Sequence, residues 1–127
     1  MAAEAVVVDA SALAALLFGE PAGPEVAARL QGRALFAPTL LRYELVSVCL
    51  KKARAQREKE RPLRRALDLF AVLGIREVGV PTDGLLELAR AADLTAHDAA
   101  YLWLARNLQA QLVTLDARLE AAVPSER

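Results

Sequence analysis

The chain has 127 residues, 55% of them apolar, which fits one domain with a substantial core, and sixteen basic residues balance sixteen acidic ones, so net charge selects no class of partner. Its one cysteine, Cys49, excludes an internal disulfide and fits a reducing compartment. No apolar run reaches the roughly 18 residues of a bilayer span, and Met1-Ala2-Ala3-Glu4 lacks the basic start of a signal peptide, so the expectation is a soluble, cytoplasmic protein.

Residues 5–9, Ala-Val-Val-Val-Asp, read as a short buried strand ended by a polar turn. Ser11 to Phe18 forms a short helix, broken at Gly19-Glu20-Pro21, and Pro24 sits in the first turn of a second helix reaching Gln31. Ala34 to Ala37 is a second strand. Pro38-Thr39 then starts a helix, with Thr39 as its cap, that runs to about Lys59. Pro62 opens another helix that ends near Gly74. Ile75 to Val80 is a third strand, and Pro81-Thr82 caps a helix to about Ala92. Thr95 caps the next helix, to about Gln109. Gln111 to Leu115 is the last strand, followed by a short helix at 117–122.

Helices and strands alternate, and the strands are short and apolar on both faces. The pattern predicts an α/β fold: a three-layer α/β/α sandwich with a short, mainly parallel sheet. There is no internal repeat, linker or low-complexity stretch, and residues 1–127 read as one domain.

Four acids stand on core-forming segments. Asp9 ends Val6-Val7-Val8. Glu44 lies within Leu40-Leu41-Arg42-Tyr43-Glu44-Leu45-Val46. Asp98 opens Ala99-Ala100-Tyr101-Leu102-Trp103-Leu104, and Asp116 closes Leu112-Val113-Thr114-Leu115. Carboxylates are rarely buried unless paired, protonated or bound to a metal. Asp9 and Asp116 fall at the carboxyl ends of predicted strands, where open α/β sheets bind ligands. Asp98 and Glu44 lie near helix starts, which approach the same edge. Each acid also has a plain structural reading. Asp9 and Asp116 suit helix caps, and Thr95 to Asp98 has the spacing of a capping box. Glu44 sits at an apolar–polar boundary, the wall of a cleft or the rim of the core. Their joint occurrence, in this order and spacing, carries the signal.

Four blocks of the chain carry a family resemblance. Val7-Val8-Asp9-Ala10-Ser11, Tyr43-Glu44, Leu94-Thr95-Ala96-His97-Asp98-Ala99-Ala100-Tyr101 and Leu112-Val113-Thr114-Leu115-Asp116 resemble the signature blocks of PIN-domain ribonucleases. More narrowly, they resemble VapC-type toxins of prokaryotic toxin–antitoxin pairs. Ser47 stands where family members often carry Asn, and His97 where an aromatic is common. Neither departure removes a carboxylate. The resemblance implies a PIN-like fold, an RNA substrate, a homodimer and a co-encoded antitoxin that inserts a segment into the active-site groove.

Carboxylates crowded together repel one another unless a cation joins them. Oxygen ligands suit Mg²⁺ or Mn²⁺, and one His with one Cys does not make a zinc site. Such a cation polarises a phosphodiester and activates water, so no protein nucleophile is required. Asp9 and Asp98 are assigned as principal metal ligands. Glu44 and Asp116 bind the metal directly or through water, and Ser11 and Thr114 position waters. Residues 51–65 hold eight basic residues against Glu58 and Glu60. That segment, starting with Lys51, Lys52 and Arg54, reads as an RNA-gripping arm or, equally, as a solvated helix face with i,i+4 Glu–Arg pairs. Phe18, Phe36 and Phe70 are expected in the core. Leu13, Leu16, Leu17 and Phe18 are either core or a groove for a partner helix. The leading reading is a metal-dependent endoribonuclease toxin. The alternatives are a PIN nuclease of RNA processing outside a toxin pair, and a PIN-fold interaction module that does not cleave. An aspartyl-phosphate receiver is disfavoured, because Thr114-Leu115-Asp116 stands where a lysine is wanted.

Overall fold

The computed structural model describes residues 2–123 of the chain. The valine run forms β1 (Ala5–Val8), whose Val6, Val7 and Val8 are all buried. A strand so uniformly β-branched and apolar is stable only with both faces covered. It lies inside a four-stranded sheet of order β3-β2-β1-β4, with β2 (Ala34–Pro38), β3 (Arg76–Val78) and β4 (Gln111–Val113), all pairings parallel.

Parallel strands need crossovers, and here helices supply them. From β1 to β2 run α1 (Ala10–Leu17) and α2 (Gly23–Leu30). From β2 to β3 run α3 (Leu41–Ala55) and α4 (Glu60–Asp68), each followed by a 3₁₀ turn. The chain then returns across the sheet through α5 (Thr82–Ala92) and α6 (Ala96–Leu108) to β4, and ends in α7 (Ala117–Ala122). Right-handed crossovers that travel one way and then the other put the two helix groups on opposite faces. Accordingly α1 packs on α2 and α3, whereas α6 packs on β1, β2, β4 and α5. The expected three-layer α/β/α architecture with a parallel sheet is what the chain adopts.

Several boundaries differ from the sequence reading. Thr39 does not cap α3: Leu40 occupies that position without a side-chain cap, while the Thr39 N–H donates to Val78 O at 3.2 Å. The helix stops at Ala55 rather than Lys59, and α4 begins at Glu60, ahead of Pro62. A proline in a first turn has no helical hydrogen bond to lose, so it does not mark the start. β3 covers three residues rather than six. It is an edge strand, and its Glu77 accepts Arg42 Nε at 3.0 Å and Arg42 Nη2 at 2.6 Å.

Leu13 and Leu17 are buried, and Leu16 and Phe18 pack against the same core. The first helix is therefore core, not an open groove. Phe18, Phe36 and Phe70 line the core margin, each beneath a cation: Lys52, Arg76 and Arg42. Cys49 is buried on α3, as a small hydrophobe would be.

Candidate active site

The strand order reverses direction between β1 and β4, and such a switch point opens a crevice at the carboxyl edge of the sheet. Asp9 follows β1 there and Thr114 follows β4. Asp9 is the N-cap of α1: its Oδ1 accepts from Ala12 N at 3.0 Å and from Ser11 Oγ at 2.8 Å. Its Oδ2 accepts from Thr114 Oγ1. Ser11 Oγ in turn accepts from Leu115 N at 2.9 Å, and Thr114 Oγ1 from Asp116 N at 3.0 Å. Both hydroxyl protons thus orient Asp9, and the ends of β1 and β4 are stitched through it. Three of about four acceptor positions on that carboxylate are occupied, which leaves room for one further ligand.

Asp116 is the N-cap of α7, with Oδ1 accepting from Arg118 N at 2.9 Å and Leu119 N at 3.1 Å. Asp98 stands in the first turn of α6. Its N–H donates to Thr95 Oγ1 at 3.1 Å, which is half of a capping box. Among the described residues its carboxylate takes no bond from the Thr95 N–H, so the reciprocal half is missing, although the Thr95 hydroxyl lies close enough to favour its charge. Glu44 lies in the first turn of α3 and accepts from Tyr101 OH at 2.6 Å, with His97 Nδ1 3.6 Å from its other oxygen.

All four acids therefore occupy helix N-termini, where the positive end of the helix dipole favours negative charge. Their repulsion nevertheless remains. Burial pushes Asp9 above the usual carboxylate range, its hydrogen bonds pull back, and the Asp116 charge adds to the rise. Burial also raises Glu44, opposed by Tyr101 and His97 and reinforced by Asp9 and Asp98. Burial raises Asp98, helped by Asp116 and opposed by Thr95, Arg118 and His97. Hydrogen bonds through Thr114 join Asp9 to the Asp116 backbone at the ends of β1 and β4, and the Tyr101 bond ties Glu44 to α6, the helix whose first turn carries Asp98. Among the described residues no three carboxylate, imidazole or thiol groups close into a ready-made metal cage.

The family model of the PIN domain matches residues 6–123. The chain belongs to the PIN-domain family. Over 124 residues this PIN domain is 30% identical to ribonuclease VapC3 of Pyrobaculum aerophilum, covering 94% of this chain and 95% of that one. Over 117 residues it is 38% identical to ribonuclease VapC9 of Mycobacterium tuberculosis, covering 90% and 87%. Among solved structures, PAE2754 of Pyrobaculum aerophilum aligns with TM-score 0.77 at 29% identity, over 97% of this chain and 87% of that one. VapC20 of Mycobacterium tuberculosis, described as a sarcin–ricin loop cleaving toxin, aligns with TM-score 0.67 over 96% and 98%. At 17% identity that second likeness speaks to the fold alone. The PIN and VapC resemblance carried by the four sequence blocks is borne out.

The basic segment of this PIN domain lies away from the acids, along the far half of α3 and into α4. A groove of about 620 Å³ separates the two helices, with Arg54, Arg57, Arg61, Arg64 and Arg65 around an apolar floor that includes Val46 and Leu50. Lys51 is exposed, whereas Lys52 Nζ lies 2.8 Å from Glu20. Arg64 makes one i,i+4 pair, 3.5 Å from Glu60.

Two residues beside the acids escaped the sequence reading. Tyr101 looked like one more member of an apolar stripe, yet a buried phenol needs a hydrogen-bond partner, and that need is the clue. Arg118, two residues past Asp116, sends Nη2 to Asp93 O at 3.2 Å and brings positive charge near Asp98. No helix is long and apolar enough to cross a membrane among the described residues.

Proposed function

We propose that this chain is an endoribonuclease that hydrolyses RNA phosphodiester bonds with Mg²⁺ or Mn²⁺, and that it is the toxin of a toxin–antitoxin pair. The observation that carries the reading is the placement of Asp9 and Asp116 at the ends of β1 and β4, beside the sheet's switch point, with Glu44 bonded to Tyr101 of α6, the helix whose first turn carries Asp98. It occurs in a PIN domain aligned along nearly its whole length with VapC ribonucleases.

The donor set fits a hard cation: oxygen ligands only, with protonation eased by burial and by neighbouring charge. Asp9 and Asp98 would be its principal ligands, and Glu44 and Asp116 would bind it directly or through water. A divalent cation held there polarises the phosphodiester and lowers the pKa of an attacking water. The chain's own residues do the rest. Ser11 and Thr114 keep Asp9 oriented, and the four helix N-termini favour the ionised acids. The arginines of the α3–α4 groove, with Lys51, attract an RNA backbone that the acids alone would repel. The VapC likeness supports an antitoxin partner, a homodimer and a cytoplasmic site of action.

The test is cleavage of a mixed structured RNA by purified protein with Mn²⁺ or Mg²⁺, then with EDTA, beside an Asp98→Asn variant. Cleavage that needs the metal and disappears in the variant is the expected result. Cleavage that survives both treatments means a contaminating ribonuclease. A folded, antitoxin-free protein inert on every RNA offered favours a toxin with a narrow target or the non-cleaving interaction module.

A further inference from the structure

Tyr101 is 2% exposed, and its ring belongs to the core cluster. A phenylalanine would fill that space equally well, so packing does not explain the hydroxyl. That hydroxyl crosses from α6 to α3 and donates to Glu44 Oε1 at 2.6 Å, within the range of a charge-assisted O–H···O⁻ bond. His97, four residues earlier and on the same side of α6, brings Nδ1 to 3.6 Å from Glu44 Oε2.

Glu44 has a flexible side chain and no other hydrogen bond among the described residues. Fixing it takes a partner that does not itself move. Tyr101 is such a partner, being locked in the core, and it stands on the helix that carries Asp98. One rigid helix therefore presents one acid and holds another.

We propose that Tyr101 is a positioning residue for the reaction: its hydroxyl pins one oxygen of Glu44 and leaves the other for the cation. This rests on the metal-dependent nuclease reading above. Partners that orient a metal-binding carboxylate commonly govern metal affinity or activity by about 10-fold or more.

The experiment uses the full chain and three variants: Tyr101→Phe, Glu44→Ala and the double variant. Mn²⁺ alone is titrated calorimetrically into each, and RNA cleavage is followed in the active ones. Tyr101→Phe is expected to keep its circular dichroism spectrum, to bind Mn²⁺ more weakly, and to lose about 10-fold in kcat with KM for RNA unchanged. In the Glu44→Ala background, adding Tyr101→Phe is expected to change Mn²⁺ affinity no further. An equal loss of Mn²⁺ affinity with and without Glu44 would make the hydroxyl merely structural and overturn the inference. So would a Tyr101→Phe protein that binds Mn²⁺ and turns over like the wild type. Should Tyr101→Phe melt below the assay temperature, Glu44→Asp draws the carboxylate back from the phenol while leaving Tyr101 in place. The same kcat-selective loss is expected there, and unchanged kinetics would count against the inference. A wild type that binds no Mn²⁺ removes the nuclease reading and this inference together; a wild type that binds it, with unaffected variants, removes this inference alone.

Discussion

Thr114 donates its hydroxyl to Asp9 across 105 residues of sequence, and in doing so it ties the carboxyl end of β4 to that of β1. Both residues are buried, at 4% and 5% exposure. Thr114→Val keeps the shape but strands part of a buried carboxylate. The expected cost is about 2 kcal/mol of stability, read from chemical denaturation, because hydrogen bonds to charged groups contribute about 1.5–3 kcal/mol. Losing that donor also removes a contribution that lowers the Asp9 pKa, so Asp9 should titrate higher still.

The acids set a pH dependence whose sign follows from their shifts. Asp9, Glu44 and Asp98 are all raised above their ordinary values, so the folded chain holds these protons more tightly than the unfolded one. Metal-free stability from these groups is then fully present below the ordinary carboxylate range. It falls as pH rises toward the raised folded values and is flat beyond them. Asp98→Asn should flatten that fall and melt a few degrees higher than the wild type at neutral pH, while losing activity. Thermal melts across about pH 4 to 8 check it, and Mn²⁺ at neutral pH should raise the wild-type midpoint.

The basic groove predicts a salt signature. With Asp98→Asn as a non-cleaving background, RNA affinity should fall steeply with salt. Each groove arginine changed to alanine, Arg57 or Arg61 for example, should reduce the log–log slope by about 0.7 if it touches one single-stranded phosphate. Lys52→Ala should leave the slope alone, since Lys52 is paired with Glu20 and lies over Phe18. Fluorescence anisotropy at several salt concentrations measures both.

Gly23 marks a place where two helices nearly touch. A Cβ there would stand 2.7 Å from the backbone oxygen of Ala15, which cannot swing aside. Gly23→Ala gains helix propensity of up to about 1 kcal/mol, but forced overpacking costs about 1–3 kcal/mol. A net loss is expected in the thermal midpoint, with little change in Mn²⁺ binding, because Gly23 lies on α2, outside the acidic edge.

Much of this was legible in the chain. Val6-Val7-Val8 could only be a strand covered on both sides, and the alternation after it left an α/β sandwich as the economical solution. The four acids were visible because each interrupts an apolar run. What stayed hidden depended on distance in space. The Thr39 and Pro62 boundaries failed because local start signals were outweighed, at Thr39 by a backbone bond to Val78 and at Pro62 by a first turn that accepts proline anywhere. The Tyr101–Glu44 bond joins residues 57 apart, and no periodicity announces it.

Asp9 and Asp116 each hold up the start of a helix as well as facing the crevice, whereas the Asp98 carboxylate supports no helix and Glu44 answers only to α6. The four acids are therefore unequal witnesses in any related chain. A descendant that had abandoned cleavage would still gain about 1 kcal/mol from each helix cap at its counterparts of Asp9 and Asp116. It would be free to discard those of Glu44 and Asp98, and would gain thermal tolerance by doing so. Whether a lineage still cuts is best judged at these two positions.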